Sequence, residues 1–352
     1  MAVKVAVIGV GLVGETIVSC LKERNFPCEW PPRIAATRER PELIAGEQLR
    51  VEETTAEVFK NRDLVLFAAK EGASGASVAW RKVAEKEGAI CIDNGRDFRL
   101  SNDVPLVVPE VNPQTITRST QFIASPNCST IQLVVALYPI HRAVKIRRIR
   151  VAGYQSTSGW GVRGPEELRK QVPIALNSLK GIPFDPAVFP RPIAFNCIPH
   201  IEPFMEADYT REELKLVYET RKILNEEELQ VSATCVRIPV FVGHGQAIWI
   251  ETEKKISPDE VRNLLQQSSG VVLLDDLLPD SPQGDKNARS YPTTLDVNEY
   301  RDQVLVGRIR KDTSSENGIA LWCVADNLRK GAALNIVQIA EELVKKGILS
   351  TR

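Results

Sequence analysis

Cys128 lies in the run Phe-Ile-Ala-Ser-Pro-Asn-Cys-Ser-Thr, Phe122 to Thr130, where a thiol could act as a nucleophile. Phe122 to Ser125 have strand character, and the apolar run Ile131 to Leu137 predicts a buried helix. A cysteine at a helix N-terminus meets unpaired backbone N–H groups and the positive end of the macrodipole, both of which favour the thiolate. The thiolate is the form that attacks in covalent catalysis. The segment alone fits a small buried hydrophobe equally well. A base is harder to place, because the chain has only three histidines: His141, His200 and His244. The first two flank proline-containing turns and read as structural. His244 stands between Gly243 and Gly245, which predicts an exposed, flexible setting and a pKa near neutrality, able to take a proton from a thiol. Arg237 sits on an apolar strand, Cys235 to Val240, where a charge is costly unless paired; a carboxylate held by both of its forks is a suitable partner.

These residues need a scaffold, and the chain supplies one in two parts. Val3 to Ile8 is a continuous apolar run of the kind buried on both faces of a parallel sheet. Gly9-Val10-Gly11-Leu12-Val13-Gly14 follows it and opens an amphipathic helix, the context that makes GxGxxG a dinucleotide motif. Gly9 and Gly11 permit a tight turn and close approach of a pyrophosphate, and Gly14 lets helix and strand touch. Further strands are expected at Arg33 to Ala36, Asp63 to Ala69, Ala89 to Asp93, Pro105 to Val111 and Gln121 to Ser125, with a helix at Ser77 to Glu87. This alternation predicts a doubly wound parallel sheet of Rossmann type. Where an NAD enzyme usually places an acid, after the second strand, the chain reads Thr37-Arg38-Glu39-Arg40. A hydroxyl and two guanidiniums suit a 2′-phosphate, favouring NADP, while Glu39 could reach a 2′-hydroxyl and keeps NAD possible.

Beyond Tyr138 the character changes. A long strand is expected over Ile146 to Thr157, helices over Glu166 to Leu179 and Arg211 to Leu224, and antiparallel strands over Gln230 to Val240 and Gln246 to Thr252. Gly181 to Pro203 is proline-rich and irregular. Strands at Val304 to Ile309 and Ile319 to Val324 precede a long helix, Asn327 to Lys346. The expected organisation is a nucleotide-type domain of residues 1–127 and 326–352, its last helix returning to it, and an inserted α+β catalytic and dimerisation domain, 128–325.

Composition excludes several classes. With 45 basic and 45 acidic residues the chain has no global field for nucleic acid or anionic lipid. No apolar stretch approaches a membrane span. Seven scattered cysteines without CxxC spacing argue against disulfides or zinc and for a reducing cytoplasm.

At the level of motifs the chain resembles the bacterial aspartate-β-semialdehyde dehydrogenases over nearly its whole length. The signatures are SPNCSTIQLV (Ser125 to Val134), GYQSTSG (Gly153 to Gly159), VYETRKI (Val217 to Ile223), VSATCVRIPVFVGHGQA (Val231 to Ala247) and DNLRKGAALNIVQIAE (Asp326 to Glu341). The resemblance implies NADP-dependent reductive dephosphorylation of L-aspartyl-4-phosphate by a homodimer, in the route to lysine, threonine, methionine and diaminopimelate. It implies Cys128 as nucleophile, His244 as acid/base and Gln155 as the residue that positions the acyl intermediate. Arg237 would grip the substrate carboxylate and Glu219 receive its amino group. Arg99 and Lys222 would bind phosphate, with Asn127 lining that pocket. Leu12, Val13, Ser158, Gly159 and Asn327 join the expected cofactor residues. Three places depart from the family pattern: Gly95-Arg96 where two serines are usual, Lys70-Glu71 in a loop usually rich in glycine, and Trp160 in place of a small residue. The retained Arg237 and Glu219 argue against N-acetylglutamyl-phosphate reductase. Intact Cys128, Gln155 and His244 argue against a catalytically dead regulator.

Overall fold

The computed structural model describes residues 2–69, 72, 75–177, 187–278 and 288–349. In chain order the strands and helices are β1 (Val5–Ile8), α1 (Leu12–Glu23), β2 (Arg33–Ala36), β3 (Arg40–Ile44), β4 (Glu47–Glu53), β5 (Leu64–Phe67), α2 (Ala76–Lys86), β6 (Ile90–Asp93) and β7 (Phe122–Ala124). Then come α3 (Cys128–Val144), β8 (Ile146–Gln155), α4 (Arg163–Leu176), α5 (Arg211–Leu224), β9 (Gln230–Arg237), β10 (His244–Thr252) and α6 (Pro258–Gln266). The chain ends with β11 (Val271–Leu273), β12 (Val304–Lys311), β13 (Gly318–Ala325) and α7 (Leu334–Lys345). They form two compact units, 1–127 with 331–352, and 128–330. The second junction falls after Lys330, a few residues beyond the expected Asp326, because one π-helical turn (Arg329–Ala333) leads into α7. Lys70-Glu71, Leu179 and the start of the proline-rich segment lie outside the described residues.

In the first unit the sheet runs β3-β4-β2-β1-β5-β6-β7. All pairings are parallel except β3 with β4. Every residue of β1 (VAVI) and β5 (LVLF) is buried, as expected of central strands covered on both faces. The helix α7 closes one face: Ile336, Val337, Ile339, Ala340 and Leu343 share a core with Ile17 and Leu21 of α1. Each Ile, Val or Leu side chain among them contributes about 1.5–3 kcal/mol on burial, which is ample to hold the chain's last helix on the unit where the chain began.

One expectation about this unit is corrected. Pro105 to Val111 is no strand; it makes one bridge, Leu106 to Ala124. The Asn112 side chain accepts from Val108 N and donates to Leu106 O, both at 2.9 Å, supplying the partners that a neighbouring strand would give. The β3–β4 hairpin, by contrast, was not anticipated. Its two-residue turn, Ala45-Gly46, has positive φ at both positions, a type I′ geometry without the usual Asn-Gly cue.

The second unit is built on a sheet ordered β11-β12-β13-β10-β8-β9. Here β9 lies parallel to β8, against the antiparallel expectation, while β10 is antiparallel to both β8 and β13. That mixture has a direct consequence. Parallel β8 and β9 finish at the same end of the sheet, with Gln155 opposite Arg237, and antiparallel β10 begins there, with Gly245 opposite Tyr154. His244 pairs with Ala325, so Asp326 and Asn327 follow at that same end. Four stretches distant in sequence thus deliver polar side chains to one edge.

Candidate active site

In the second unit, α3 opens at Cys128 with its N-terminal turn beside this edge. Ser129 accepts a hydrogen bond from Gln155 Nε2 at 2.8 Å, and the same nitrogen donates to Glu212 Oε1 at 2.9 Å. Gln155 therefore ties the start of α3 to the start of α5. The α5 end is pinned independently by a capping box. Glu213 accepts from Thr210 N at 2.7 Å with one oxygen and from Cys235 N at 3.0 Å with the other. Helix and strand β9 are locked together there, and Glu212 is held toward Gln155.

Glu212 is fully buried, and burial works against its ionisation. Lys215, Gln155 and Arg237 outweigh that cost and hold the carboxyl down at about 2. Lys215 bridges Glu212 Oε2 at 3.1 Å and Glu202 Oε1 at 2.7 Å. Arg237 is 3 % exposed, donates from Nη1 to Ser156 O at 2.6 Å, and feels the charges of Glu212 and of Cys128. Gly159 stands against Arg237: a Cβ there would come within 2.8 Å of the guanidinium and oblige it to shift.

His244 is corrected. It is wholly buried as the first residue of β10, not exposed in a mobile loop. Its flanking glycines answer steric demands: Gly243 has φ +94°, and a Cβ on Gly245 would meet the Trp322 ring at 2.5 Å. Burial first, and then the Arg237 charge, push its pKa down to about 3 instead of leaving it near neutrality. Ser156 N donates to Nδ1 at 3.1 Å. A backbone N–H can only donate, so the neutral ring carries its proton on Nε2, and Nε2 has no hydrogen-bond partner among the described residues.

The positions of Glu219 and Lys222 are also corrected. The helices α3 and α5 run the same way: the Gln155 bridge joins their starts, and His141 near the end of α3 lies 3.4 Å from Glu226 just beyond α5. Glu219 is therefore about 10 Å further along the helix than Glu212, and Lys222 lies further still. The acid and base that the structure brings to Gln155 are Glu212 and Lys215. The reason is a repeat: Glu212/Lys215 and Glu219/Lys222 have the same three-residue spacing, seven residues apart, on one helical face.

Ser158 and Asn327 stand in the same cluster, with Asn327 Oδ1 accepting from Ser156 Oγ at 3.0 Å and from Gly243 N at 3.0 Å. Trp160 ends a short 3-10 turn, Thr157–Trp160, and is 48 % exposed. Ser129, Ser156, Glu202, Glu212 and Lys215 escaped the sequence reading. For Glu212 and Lys215 a signal existed in the capping pattern Thr210 to Glu213, which marks the helix start.

The first unit holds the other expected residues. Arg99 is 5 % exposed and donates to Asn94 O at 2.7 Å, with the Asp93 carboxyl nearby. Burial pushes Asp93 up to about 6, although Gly95 N donates to it at 2.8 Å. Asn127 is buried immediately before α3. Gly9 has φ +108°, and a Cβ there would meet Ala68 O at 2.6 Å. Gly11 looks into open space and caps α1 with no side-chain bond, leaving the amides of Leu12, Val13 and Gly14 at a bare helix start. That is a cradle for a pyrophosphate, so the residues present fit a dinucleotide. Thr37 and Arg38 are exposed just beyond β2. Glu39 is paired with Arg50 at 2.8 Å and Arg40 with Glu42 at 2.6 Å. Among the described residues, Arg38 forms no ion pair. No cluster of three metal-binding side chains occurs among the described residues, and none of their helices is long and apolar enough to cross a membrane.

Comparison with known proteins agrees with both units. Residues 4–119 match the family model of the semialdehyde dehydrogenase NAD binding domain, and 137–330 that of the semialdehyde dehydrogenase dimerisation domain. The aspartate-semialdehyde dehydrogenase of Aquifex aeolicus is 45 % identical over 99 % of this chain and 100 % of its own. Aspartate-semialdehyde dehydrogenase 2 of Vibrio cholerae is 43 % identical, covering 97 % of each. The crystal structure of the Vibrio cholerae aspartate semialdehyde dehydrogenase II complexed with ASA superposes with a TM-score of 0.87 at 42 % identity, covering 98 % of this chain and 99 % of that one. With relatives this similar along its full length, the chain belongs to the aspartate-semialdehyde dehydrogenase family.

Proposed function

We propose that this protein converts L-aspartyl-4-phosphate to L-aspartate-4-semialdehyde, with NADP as the preferred cofactor, as a homodimer in the cytoplasm, in the route to lysine, threonine, methionine and diaminopimelate. The observation that carries the reading is the meeting of Gln155, Arg237 and His244 at one sheet edge beside the helix that Cys128 opens.

Cys128 Sγ attacks the acyl-phosphate carbon, and the C–O bond to phosphate breaks, leaving a thioacyl enzyme and inorganic phosphate. Arg99, Lys215 and Asn127 are the groups assigned to the departing phosphate. Arg237 grips the α-carboxylate of the substrate, and Glu212, held ionised, receives the α-amino group. A free amino acid brings a charge for each of them, whereas an N-acylated one offers Glu212 no ammonium. Gln155, fixed by Ser129 and Glu212, sets the acyl group against Cys128. When bound, the reduced nicotinamide supplies the hydride. His244 presents Nε2–H to the carbonyl oxygen, stabilising negative charge as it develops there. Collapse of the resulting tetrahedral oxyanion breaks the C–S bond, releasing the aldehyde and returning Cys128 as the thiolate. Gly9, Gly11, Leu12, Val13 and Gly14 cradle the pyrophosphate, Thr37 and Arg38 the 2′-phosphate, and Ser158, Gly159 and Asn327 complete the cofactor set.

The test is phosphate-dependent reduction of NADP, and of NAD, by the purified protein with L-aspartate semialdehyde. Turnover that requires phosphate or arsenate is expected. No turnover with either cofactor would end this reading.

A further inference from the structure

Asn327 is 3 % exposed and follows closely on the β13 residue that pairs with His244. Its Oδ1 accepts from Gly243 N and Ser156 Oγ, each at 3.0 Å, and from Ser158 Oγ at 3.2 Å; its Nδ2 donates to Ser158 Oγ at 2.9 Å. The Gly243 N–H can only donate, and this fixes which end of the amide is the oxygen. Gly243 is the peptide neighbour of His244. Ser156 N–H donates to His244 Nδ1 at 3.1 Å, and the Ser156 hydroxyl, its one proton committed to Asn327, lies 3.1 Å from the same nitrogen. One buried amide therefore fastens both attachments of the imidazole: the peptide that carries it and the serine that fills its inner nitrogen.

We infer that Asn327 is a positioning residue for His244, acting through Ser156 and Gly243, apart from any contact it makes with the cofactor. The oxygen of Asn327 already serves three donors, so toward a ligand it has one Nδ2 hydrogen left to offer. Its larger task is internal. Without it the Ser156 hydroxyl would turn its proton toward Nδ1, the Gly243 peptide would lose its acceptor, and the ring would no longer be held in one orientation. The inference rests on the functional reading in one respect, namely that His244 acts in the reaction.

The charged groups that His244 feels are Arg237 from β9 and Glu212 from α5, and substitution at 327 alters neither. Asn327→Asp keeps an acceptor toward Gly243 and Ser156 but places a negative charge one hydrogen bond beyond Nδ1, which favours the imidazolium. The experiment compares wild type, Ser156→Ala, Asn327→Ala, the double variant and Asn327→Asp in the purified dimer. It measures kcat, KM for NADP and for aspartate semialdehyde, and the pH profile of kcat. Asn327→Ala should lower kcat by roughly ten-fold or more, the scale on which a misplaced proton-handling group costs rate, beyond whatever rise in KM for NADP follows from its lost cofactor contact, with the KM for aspartate semialdehyde little changed. Ser156→Ala should do likewise, and the double variant should be no worse than the poorer single one, because the residues act as one unit. Asn327→Asp should retain part of the rate and move the profile to higher pH. A rise in KM for NADP alone, with kcat and the pH profile unchanged, would make Asn327 a cofactor ligand only and overturn the inference. Multiplying losses in the double variant would do so too. Should Asn327→Ala fail to fold, the Asn327→Asp profile decides, and an unmoved profile overturns the inference. A wild type inactive on aspartate semialdehyde brings down the functional reading and the inference together; an active wild type with the overturning pattern brings down the inference alone.

Discussion

Gln155 Nε2 donates to Glu212 across 2.9 Å, joining the last residue of β8 to the first turn of α5. This contact decides which acid of a repeated pair faces the chemistry. Glu212→Gln should raise the KM for aspartate semialdehyde by roughly ten-fold or more, because a charge-assisted contact contributes about 1.5–3 kcal/mol. Glu219→Gln, two turns away, should leave that KM nearly unchanged. Steady-state kinetics of the two variants, with melting temperatures to confirm folding, checks the assignment; a larger effect at Glu219 would reverse it.

Cys128→Ala should abolish turnover while NADP binding persists, since the thiol forms the covalent bond and the cofactor cradle lies in other residues. Cys20, Cys91, Cys235 and Cys323 are buried, with thiols that serve packing, and Ala there should cost stability before activity. Mass spectrometry of the enzyme mixed with the semialdehyde and NADP without phosphate should show the thioacyl adduct on Cys128 alone. Near-normal activity in Cys128→Ala would refute the mechanism.

Much of this arrangement was legible in the sequence, and the parts that were not share a cause. The apolar runs of β1 and β5 and the glycine motif after β1 are local signals, and so is the helix behind Cys128. Parallel pairing of β8 with β9 is not local: alternation along Gln230 to Arg237 reads the same whichever way the neighbour runs. The glycines around His244 suggested mobility because their steric reasons, Thr294 and Trp322, come from far along the chain. Glu219 was chosen over Glu212 because two turns of one helix face carry the same acid and base. Only the capping box at Thr210, with Glu213 bonded to Cys235 N, shows which turn meets the strand ends.

Burial of His244 has a consequence for stability. Its folded pKa of about 3 lies below its ordinary 6.5, so in between the unfolded chain binds a proton that the folded one refuses. The contribution is fully present above about pH 6.5 and is lost as pH falls toward 3. His244→Gln should therefore lose less stability than wild type on acidification from pH 7 to pH 4.5. Denaturant melts at both pH values test this, and equal losses in the two proteins would show that His244 titrates normally.

Arg38→Ala should weaken NADP and spare NAD. Glu39 and Arg40 are engaged with Arg50 and Glu42, which leaves the Arg38 guanidinium as the charge available to a 2′-phosphate. Loss of one charge-assisted contact, about 1.5–3 kcal/mol, corresponds to roughly ten- to more than a hundred-fold in KM for NADP. Equal effects on both cofactors would show that Arg38 is only a solvated loop residue.

Trp160 bears on substrate choice. The family usually keeps a small residue at this position, and a tryptophan must either turn away from the acyl site or narrow it. It is 48 % exposed, at the end of the turn that begins at Thr157, whereas Gly159 beside it is the residue pressed against Arg237. The indole is thus only half covered, while the glycine makes the close approach. Trp160→Ala should change the KM for aspartate semialdehyde only modestly and should open no activity toward N-acylated semialdehydes, whose blocked nitrogen offers Glu212 no ammonium whatever stands at 160. Gly159→Ala should be far more damaging, because its Cβ would displace the guanidinium that grips the carboxylate. Assays of both variants with aspartate semialdehyde and N-acetylglutamate semialdehyde separate the cases. If Trp160→Ala gains the N-acetylated substrate, the indole is a specificity gate, and discrimination does not rest on Glu212.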